Sequence, residues 1–304
     1  MSAERSPARR RLSMGEREMA VGYALLLPGL LGLAIFVVYP VISGVSLAFQ
    51  SQYLLEPEKN RWVGFQNFVR FLTQEPKLGL YIGNTVRWVL GSVVGRVTLG
   101  MILALLLNRD MPFRGVYRAL ALIPWVMPGV VSAIIWQWIY NANWGIFNHI
   151  LKVLGLIREN ITWLADRKFI WPAILLVSIW HGYPFSYAFI LAGLQVIPHD
   201  LYEAALIDGA SRWASFRYIT LPMLRPVLFV LLLLQTVWNA NEFTAIWMLT
   251  KGGPADYTMT LAPLVYQTSF IFYRVGYGAS IAVLLSAVVM TFAVIYIRTV
   301  RSEV

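Results

Sequence analysis

The sequence predicts an all-α membrane protein that crosses the bilayer six times. Of its 304 residues, 58% are hydrophobic and 13% are charged, whereas soluble domains are about half apolar and a quarter charged. The apolar residues fall into blocks long enough for the roughly 20 helical residues that span a bilayer. We predict six spans, at residues 20–42, 83–107, 119–140, 169–194, 226–249 and 277–297. Residues 20–297 then form one transmembrane domain between two tails, 1–19 and 298–304.

The first predicted span follows an arginine-rich tail and could be mistaken for a secretory signal. Its apolar run is longer than the about 7–15 residues of a signal-peptide core. No small-x-small cleavage site occurs before Tyr39-Pro40. We therefore expect an uncleaved first span preceded by a polar N-terminal tail.

Lysine and arginine are denser in the tails and the even-numbered connections than in the three other connections. Because positive residues concentrate on the cytoplasmic side, both termini are predicted to be cytoplasmic. The net charge of +10 is then explained by residues that flank the bilayer and face anionic lipid. We expect no nucleic-acid partner. The orientation places the polar connection at about 199–222 inside the cell.

The sequence contains no pattern typical of an enzyme. It has no cysteine, which excludes disulfides, thiolate metal sites and cysteine nucleophiles. Neither a G-x-x-x-x-G-K-[ST] loop nor an H-E-x-x-H motif occurs, and the three histidines, His149, His181 and His199, lie on different segments. We expect no catalytic residue, no metal site and no cofactor on this chain.

The polar connection at about 199–222 contains helix signals in order, which is unusual for a linker. Asp200 is predicted to cap a helix, with Glu203 completing a capping box. Gly209 stands where a helix end favours positive φ. Ser211 is predicted to cap a second short helix, which Pro222 closely follows. Such a folded helix pair on one side of the membrane is suited to a protein partner.

Three polar residues lie close together within the predicted fifth span. Glu242 is the clearest, with Asn239 and Asn241 beside it. An ionisable residue at membrane depth needs a partner or a polar cavity, because burial in hydrocarbon costs at least ~2.5 kcal/mol on insertion scales. One interpretation is that these residues line a solute pathway. The other is that they form hydrogen bonds between helices.

Arg96 lies near the middle of the second predicted span, too deep to reach the membrane surface easily. We predict that it pairs with Glu242 or another acidic group, or that it faces a subunit interface.

The fourth predicted span contains the sequence Trp180-His-Gly-Tyr-Pro184. Glycine and proline together predict a kinked or locally unwound helix, which is tolerated where the backbone borders protein or water. His181, Tyr183 and Tyr187 could offer hydrogen bonds and stacking faces to a polyhydroxylated solute. The alternative is a packed kink in which His181 bonds to a neighbouring helix.

At this point the residues resemble a known family. The polar connection reads Glu203-Ala-Ala, three residues, Gly209, nine residues, Ile219, one residue and Leu221-Pro222. This spacing matches the EAA loop of permease subunits of bacterial ABC importers. Other short motifs resemble carbohydrate-uptake permeases, in particular the maltose-type first permease subunit and the glycerol-3-phosphate permease. These motifs are Gly64-x-x-Asn67-Phe68, Asn84-Thr85, Trp136-x-Trp138, Gly145-Ile-Phe-Asn148, Leu249-Thr250 and Gly252-Gly253-Pro254.

The resemblance implies a type I ABC importer permease fold in the cytoplasmic, or inner, membrane. It implies a heterodimer with a second homologous permease subunit, two ATP-binding subunits that hold ATP and Mg, and an extracytoplasmic solute-binding protein. The EAA loop would fit a cleft in the ATPase. The implied ATPase-coupling residues are Glu203, Ala204, Ala205, Asp208, Gly209, Ile219, Leu221 and Pro222. Sugar import is the implied function, with His181, Tyr183, Tyr187, Asn239, Asn241 and Glu242 as candidate pathway residues.

Three other functions stay open at this stage. A glycerol-3-phosphate or glycerophosphodiester importer would need a cationic contact, for which Arg96 is the mid-membrane candidate. A channel or secondary carrier would use Glu242 as a proton or ion site and would work without ATP. A membrane scaffold would leave Glu242 and the EAA spacing unexplained.

Overall fold

Helices account for the apolar blocks of the sequence in the computed structural model, which describes residues 14–301. Of the two predicted tails, 1–19 and 298–304, residues 1–13 and 302–304 lie outside the described range. The helices are α1 Met14–Leu33, α2 Tyr39–Ala48, α3 Gln66–Gln74, α4 Leu78–Leu107, α5 Arg114–Val126, α6 Gly129–Ile139, α7 Ile146–Val153, α8 Ile170–Val196, α9 Asp200–Ile207, α10 Arg212–Ser215, α11 Leu221–Ala240, α12 Thr244–Thr250, α13 Leu261–Tyr266 and α14 Val275–Arg301. Two short strands, β1 Gln50–Ser51 and β2 Arg61–Trp62, pair antiparallel.

Five stretches of helix are long and apolar enough to cross a membrane, and a bent pair provides a sixth crossing. Helices suit this task because they satisfy every backbone hydrogen bond internally. The five stretches are Val21–Ala48, Leu78–Leu107, Ile170–Val196, Arg212–Ala240 and Val275–Val300. The predicted all-α membrane fold is confirmed.

The third crossing, predicted at 119–140, is broken into two helices in the structure. Helix α5 ends at Val126, α6 begins at Gly129, and the two are bent by 94°. Met127, between them, is extended, with φ −71° and ψ 133°. It precedes Pro128, and the residue before a proline is disfavoured in the helical region. The proline therefore ends one helix and begins the next.

The predicted fifth span, 226–249, was wrong at both ends. The helical stretch starts at Arg212, passes through a π-helical turn at Phe216–Thr220 and ends at Ala240. After the break, α12 begins at Thr244. The side chains of Asn241 and Glu242 bond to the local backbone, which competes with helix continuation. Glu242 therefore lies in a break between helices and not within a span.

Helices α4 and α8 form the central pair, with α11 packed against both. One apolar cluster surrounds Trp88 of α4 and Ile174 of α8. A second surrounds Tyr187 of α8 and Leu231 of α11. Between the two clusters, α4 and α8 bury several polar residues, which form the layer described below.

The first span, Val21–Ala48, contributes almost nothing to this core. None of its most apolar 18-residue window is buried within the chain. Its second half, α2, contacts α14, and Ala48 at its end is fully buried. The apolar surface of the first span is therefore free to meet lipid or another chain.

Asparagine side chains stabilise the connections at the end of the bundle opposite the EAA loop. Asn67 donates to the carbonyls of Ala48 and Gln50, each at 2.9 Å. Asn84 donates to the carbonyl of Met259 at 3.0 Å. Asn148 accepts from the indole of Trp163 at 2.8 Å and donates to two carbonyls. These family-motif residues therefore act structurally in this chain, because they satisfy backbone and indole groups of the loops.

Candidate functional site

The EAA loop, residues 199–222, is a pair of short helices with a tight turn between them. Helix α9 begins at Asp200, and His199 is the residue that precedes it. The predicted capping box was wrong, because Asp200 is already helical and no side chain caps α9. The Glu203 carboxylate instead forms a hydrogen bond with His199 Nδ1, at a distance of 3.1 Å and one helical turn away. Ser211 does cap α10 as predicted, since its Oγ accepts from the Ala214 backbone N–H at 3.2 Å.

Gly209 forms the turn between α9 and α10. Its φ of +77° is in the left-handed region that glycine adopts without steric cost. The Ala210 N–H donates to the Ala205 carbonyl at 2.8 Å, which closes the end of α9. A Cβ added at Gly209 would meet no atom within 4 Å. The position is therefore open to a partner and not packed within the chain.

The eight predicted coupling residues divide by exposure. Four of them are exposed: Glu203, Ala204, Asp208 and Gly209. The other four are half-buried: Ala205, Ile219, Leu221 and Pro222. Pro222, predicted to follow the second short helix closely, lies in the first turn of α11, which continues directly from the π-helical turn Phe216–Thr220. The second arm is thus continuous with the fifth span.

The loop also exposes large apolar side chains that we did not predict as part of the site. Leu206 is 75% exposed and Ile207 is 86% exposed, next to Asp208 and Gly209. On the second arm, Trp213 is 69% and Tyr218 is 74% exposed. Such a patch beside a polar helix end marks an interaction surface. The signal in the sequence was the pair Leu206-Ile207 directly before the turn.

Arg96 is the centre of a second candidate region, inside the bundle. Its side chain is 8% exposed, and its Nε donates to the Ser178 carbonyl at 3.0 Å. Its two terminal nitrogens donate to Ser178 Oγ at 2.8 Å and to Gln235 Oε1 at 3.3 Å. The predicted ion pair with Glu242 does not form: among the side chains that the structure describes, no carboxylate lies within 4.0 Å of this guanidinium. Neutral oxygens from α8 and α11 solvate the charge instead.

These contacts extend into a connected network, here called the polar layer. Ser178 donates to Ser92 at 2.7 Å, and Gln235 donates to Ser186 at 3.1 Å. Asn239, one turn along α11, donates to Gln235 at 3.2 Å. The polar layer consists of Ser92, Arg96, Ser178, Ser186, Gln235 and Asn239. It joins the three central helices, as buried polar groups in membrane proteins do.

Gly182 makes room for Arg96 and does not unwind α8. Of the two predicted forms, kinked or locally unwound, the structure does not show the second, because the helix runs unbroken from Ile170 to Val196 with Pro184 inside it. A Cβ at Gly182 would overlap the Arg96 guanidinium at Nε, Cδ and Cζ. The glycine therefore allows the arginine to lie directly against the backbone of α8.

The six predicted pathway residues differ in exposure. Tyr187 and Asn239 are each 1% exposed. In the part of the chain that the structure describes, the Tyr187 hydroxyl and the Asn239 Oδ1 have no hydrogen-bond partner. For Asn239, hydrogen bonding within the bundle is the interpretation that fits its contacts.

Asn241 is exposed, and Glu242, His181 and Tyr183 are half-buried. Glu242 accepts from the Ala245 N–H at 2.9 Å at the start of α12, which leaves its second oxygen free for another donor. His181 Nδ1 lies 3.3 Å from the hydroxyl of Ser132 on α6. The polar atoms of these four residues therefore lie at or near the surface of α8 and of the segment between α11 and α12.

Aromatic rings on three helices adjoin these polar residues. Phe185 lies 4.9 Å from Trp238 and 5.9 Å from Trp125, measured between ring centroids. Trp125 and Trp238 are each about half exposed. The group forms a ring-lined surface across α5, α8 and α11.

Between residues 14 and 301, no three His, Asp or Glu side chains come together as metal ligands. The accessible polar groups and rings of this arrangement offer hydrogen bonding and stacking, and the exposed loop lies apart from them.

Comparisons with known proteins place the chain among membrane transport components. The family model described as "Binding-protein-dependent transport system inner membrane component" matches residues 96–302. The trehalose/maltose transport system permease protein MalF of Thermococcus litoralis is 38% identical over 94% of this chain and 95% of its own. The sulfoquinovosyl glycerol transport system permease protein SmoG of Agrobacterium fabrum is 35% identical over 96% of this chain and 93% of its own.

Among solved structures, a bacterial ABC transporter that imports the acidic polysaccharide alginate shares the fold. The TM-score is 0.82 at 24% identity, with 94% of this chain and 96% of that chain covered. Together, the family match and the relatives show a multi-pass inner-membrane permease subunit of an ABC importer, in which a separate ATPase hydrolyses ATP. The chain belongs to the family of binding-protein-dependent transport system inner membrane components.

Proposed function

We propose that this chain forms half of the translocation pathway of an ATP-driven importer for a sugar or sugar-like solute. The observation that carries the proposal is the exposed helix pair with EAA spacing, whose turn residue Gly209 faces open space. The names of the relatives, which include trehalose, maltose and sulfoquinovosyl glycerol systems, support the solute class.

Coupling would work through the EAA loop. Glu203, Ala204, Ala205, Asp208 and Gly209 would dock on an ATPase subunit that holds ATP and Mg, with Leu206 and Ile207 supplying apolar contact. Ile219, Leu221 and Pro222 lie on the arm that continues into α11. Because that arm is unbroken helix, movement of the loop would displace α11 and its polar residues. This is a two-state change biased by ligand.

The solute would contact the residues that stay accessible. Asn241, Glu242, His181 and Tyr183 offer hydrogen bonds to hydroxyl groups, and the rings around Phe185 offer stacking faces to the sugar. Asn239 and Tyr187, which are buried, would support this surface from within. A few polar groups beside aromatic walls are typical of small-molecule sites.

The assembly would contain the partners implied by the family resemblance. These are a second permease subunit, two ATPase subunits and an extracytoplasmic solute-binding protein, with both termini of this chain in the cytoplasm. The exposed first span is consistent with contact to a second permease subunit or to lipid.

A phosphorylated solute is less well supported than a neutral sugar. The mid-membrane cation that the sequence offered for it, Arg96, already directs three of its donors to Ser178 and Gln235. It is also 8% exposed. A carrier that uses Glu242 without ATP is disfavoured by the family to which the chain belongs.

The proposal is tested by reconstituting the chain, with the subunits that purify with it, in proteoliposomes. We expect sugar accumulation that requires ATP and the solute-binding protein, and ATP hydrolysis that the loaded binding protein stimulates. Accumulation driven by an ion gradient alone, from the purified chain without an ATPase, would overturn it.

A further inference from the structure

A cavity of about 1190 Å³ lies beside the EAA loop, on the side of α4 and α11. It is at least as large as the clefts of about 300–1,000 Å³ that hold drug-sized ligands. Helix α4 contributes one wall, α11 the second, and the EAA loop covers the end. None of the candidate pathway residues lines it, so this cavity is separate from the surface proposed for the solute.

The lining changes from apolar to polar along the cavity. Val97, Met101 and Leu105 of α4 face Leu228 and Leu232 of α11 within the depth of the bundle. The mouth instead carries Arg109 from the connection after α4, and Arg212 and Trp213 from the second arm. This order matches one leaflet of a bilayer, from acyl chains to the headgroup region where tryptophan and arginine collect.

Two arginines and two carboxylates line the mouth, and Arg114 beside it brings the charge to three positive against two negative groups. Arg114 pairs with Asp110 at 2.7 Å, and Glu203 forms a hydrogen bond with His199 at 3.1 Å. Among the described side chains, no carboxylate lies within 4.0 Å of Arg109 or Arg212. Both are exposed. Two free guanidinium groups above an apolar slot are suited to a phosphate attached to hydrocarbon.

We propose that this cavity binds an anionic phospholipid from the leaflet on the EAA-loop side. Its phosphate would lie between Arg109 and Arg212, and an acyl chain would lie between α4 and α11. Ile102, which lines the cavity, is 49% exposed and adjoins the exposed Leu106, so the slot is continuous with the outer surface of α4. A lipid can therefore enter sideways from the bilayer.

The test measures lipid retention by native mass spectrometry on the full chain, purified with its accompanying subunits. The complex is delipidated and titrated with phosphatidylglycerol or with phosphatidylcholine of identical acyl chains. We expect the wild-type complex to retain phosphatidylglycerol in preference to phosphatidylcholine. In the double variant R109Q/R212Q, the ratio of the two affinities should fall by about tenfold. The matched control R217Q/R225Q removes the same charge from two exposed arginines on the same side that do not line the cavity. It should keep the preference.

A third variant tests the apolar slot. Met101→Trp fills it without changing charge, and should reduce retention of both lipids. Equal loss in R109Q/R212Q and R217Q/R225Q would show general charge attraction and overturn the site. Undiminished preference in R109Q/R212Q would overturn it too. Displacement of bound lipid by soluble glycerophosphoglycerol would show a headgroup site without a role for the acyl slot, against the proposal.

Discussion

The EAA loop and the polar layer hold their polar residues in opposite ways. In the loop, Glu203 and Ser211 bond to neighbours three or four residues away and leave an apolar patch uncovered. In the polar layer, Arg96 bonds to residues 82 and 139 positions away and is nearly sealed from solvent. The loop therefore presents an uncovered surface, whereas the layer fixes three helices against one another. In the proposed mechanism, this rigid layer would carry a movement of the loop into the membrane core.

The largest effect is expected from a charge at the turn of the loop. Gly209→Asp should reduce ATP-driven uptake by more than about tenfold, since an unpaired carboxylate buried in an interface costs several kcal/mol. Gly209→Asn is the matched control, because asparagine and aspartate tolerate positive φ similarly. It should retain most uptake. Transport in proteoliposomes measures both; equal activity of the two variants would remove the loop from the docking face.

The polar layer should respond in stability before it responds in transport. Arg96→Leu leaves Ser178 and Gln235 without their donor and should lower the free energy of unfolding by about 2–4 kcal/mol. Arg87→Leu, on the same helix, removes only a cation–π contact with Trp171 at 5.0 Å and should cost about 0.5–1 kcal/mol. Thermal unfolding of the purified protein compares them. Equal shifts would mean that the layer adds no stability.

A double-mutant cycle tests the fit between Gly182 and Arg96. Gly182→Ala should destabilise by about 1–3 kcal/mol, because the new methyl group overlaps the guanidinium. In the Arg96→Leu background the same change should cost measurably less. Gly83→Ala, where a Cβ meets nothing within 4 Å, is the control. Strict additivity of the two substitutions would contradict the packing described.

Glu242 separates the transport mechanisms. Glu242→Gln keeps an oxygen for the Ala245 N–H, so the fold should be unchanged. We expect uptake to stay ATP-dependent, with the KM for solute raised by up to about tenfold, or about 1.4 kcal/mol of binding. Initial-rate measurements against solute concentration report this. If the wild-type protein instead showed solute flux driven by an ion gradient, and Glu242→Gln abolished that flux, Glu242 would be the ion site of a carrier.

The smallest predicted effect concerns the ends of the loop helices. Ser211→Ala removes the cap of α10 and should cost about 1 kcal/mol of local stability. Asp200→Ala removes no cap and should stay within about 0.5 kcal/mol. Hydrogen exchange is measured at the Ala214 amide in Ser211→Ala and at the Glu203 amide in Asp200→Ala. An acceleration at Glu203 as large as the one at Ala214 would give Asp200 the capping role that the structure does not show.

The same contrast explains what could be predicted from the sequence. The spans, the turn at Gly209 and the cap at Ser211 depend on residues near one another in the chain, so their signals are local. The bend at Met127-Pro128 also had a local signal, the proline, but the apolar run across it suggested one span. The end of α11 at Ala240 was missed because Asn241 and Glu242 were judged only as membrane-depth polar residues and not as backbone competitors.

The polar layer could not be predicted in the same way. Arg96 needed a partner, and charge alone pointed to Glu242. The actual partners, Ser178 and Gln235, are neutral and lie on two other helices. Gln235 and Asn239, spaced one turn apart on α11, were a signal that a polar face existed there. Which helix that face meets depends on the packing of α4, α8 and α11, which periodicity does not specify.

The most direct test of the coupling role is a crosslink from the loop. Because the chain has no cysteine, a single Ala204→Cys provides the only thiol on this subunit. In the purified complex we predict that it crosslinks to the ATPase subunit, with a yield that changes when ATP binds. Asp110→Cys, at the same end of the bundle but outside the loop, should not. An ATP-insensitive yield equal to that from Asp110→Cys would contradict the account.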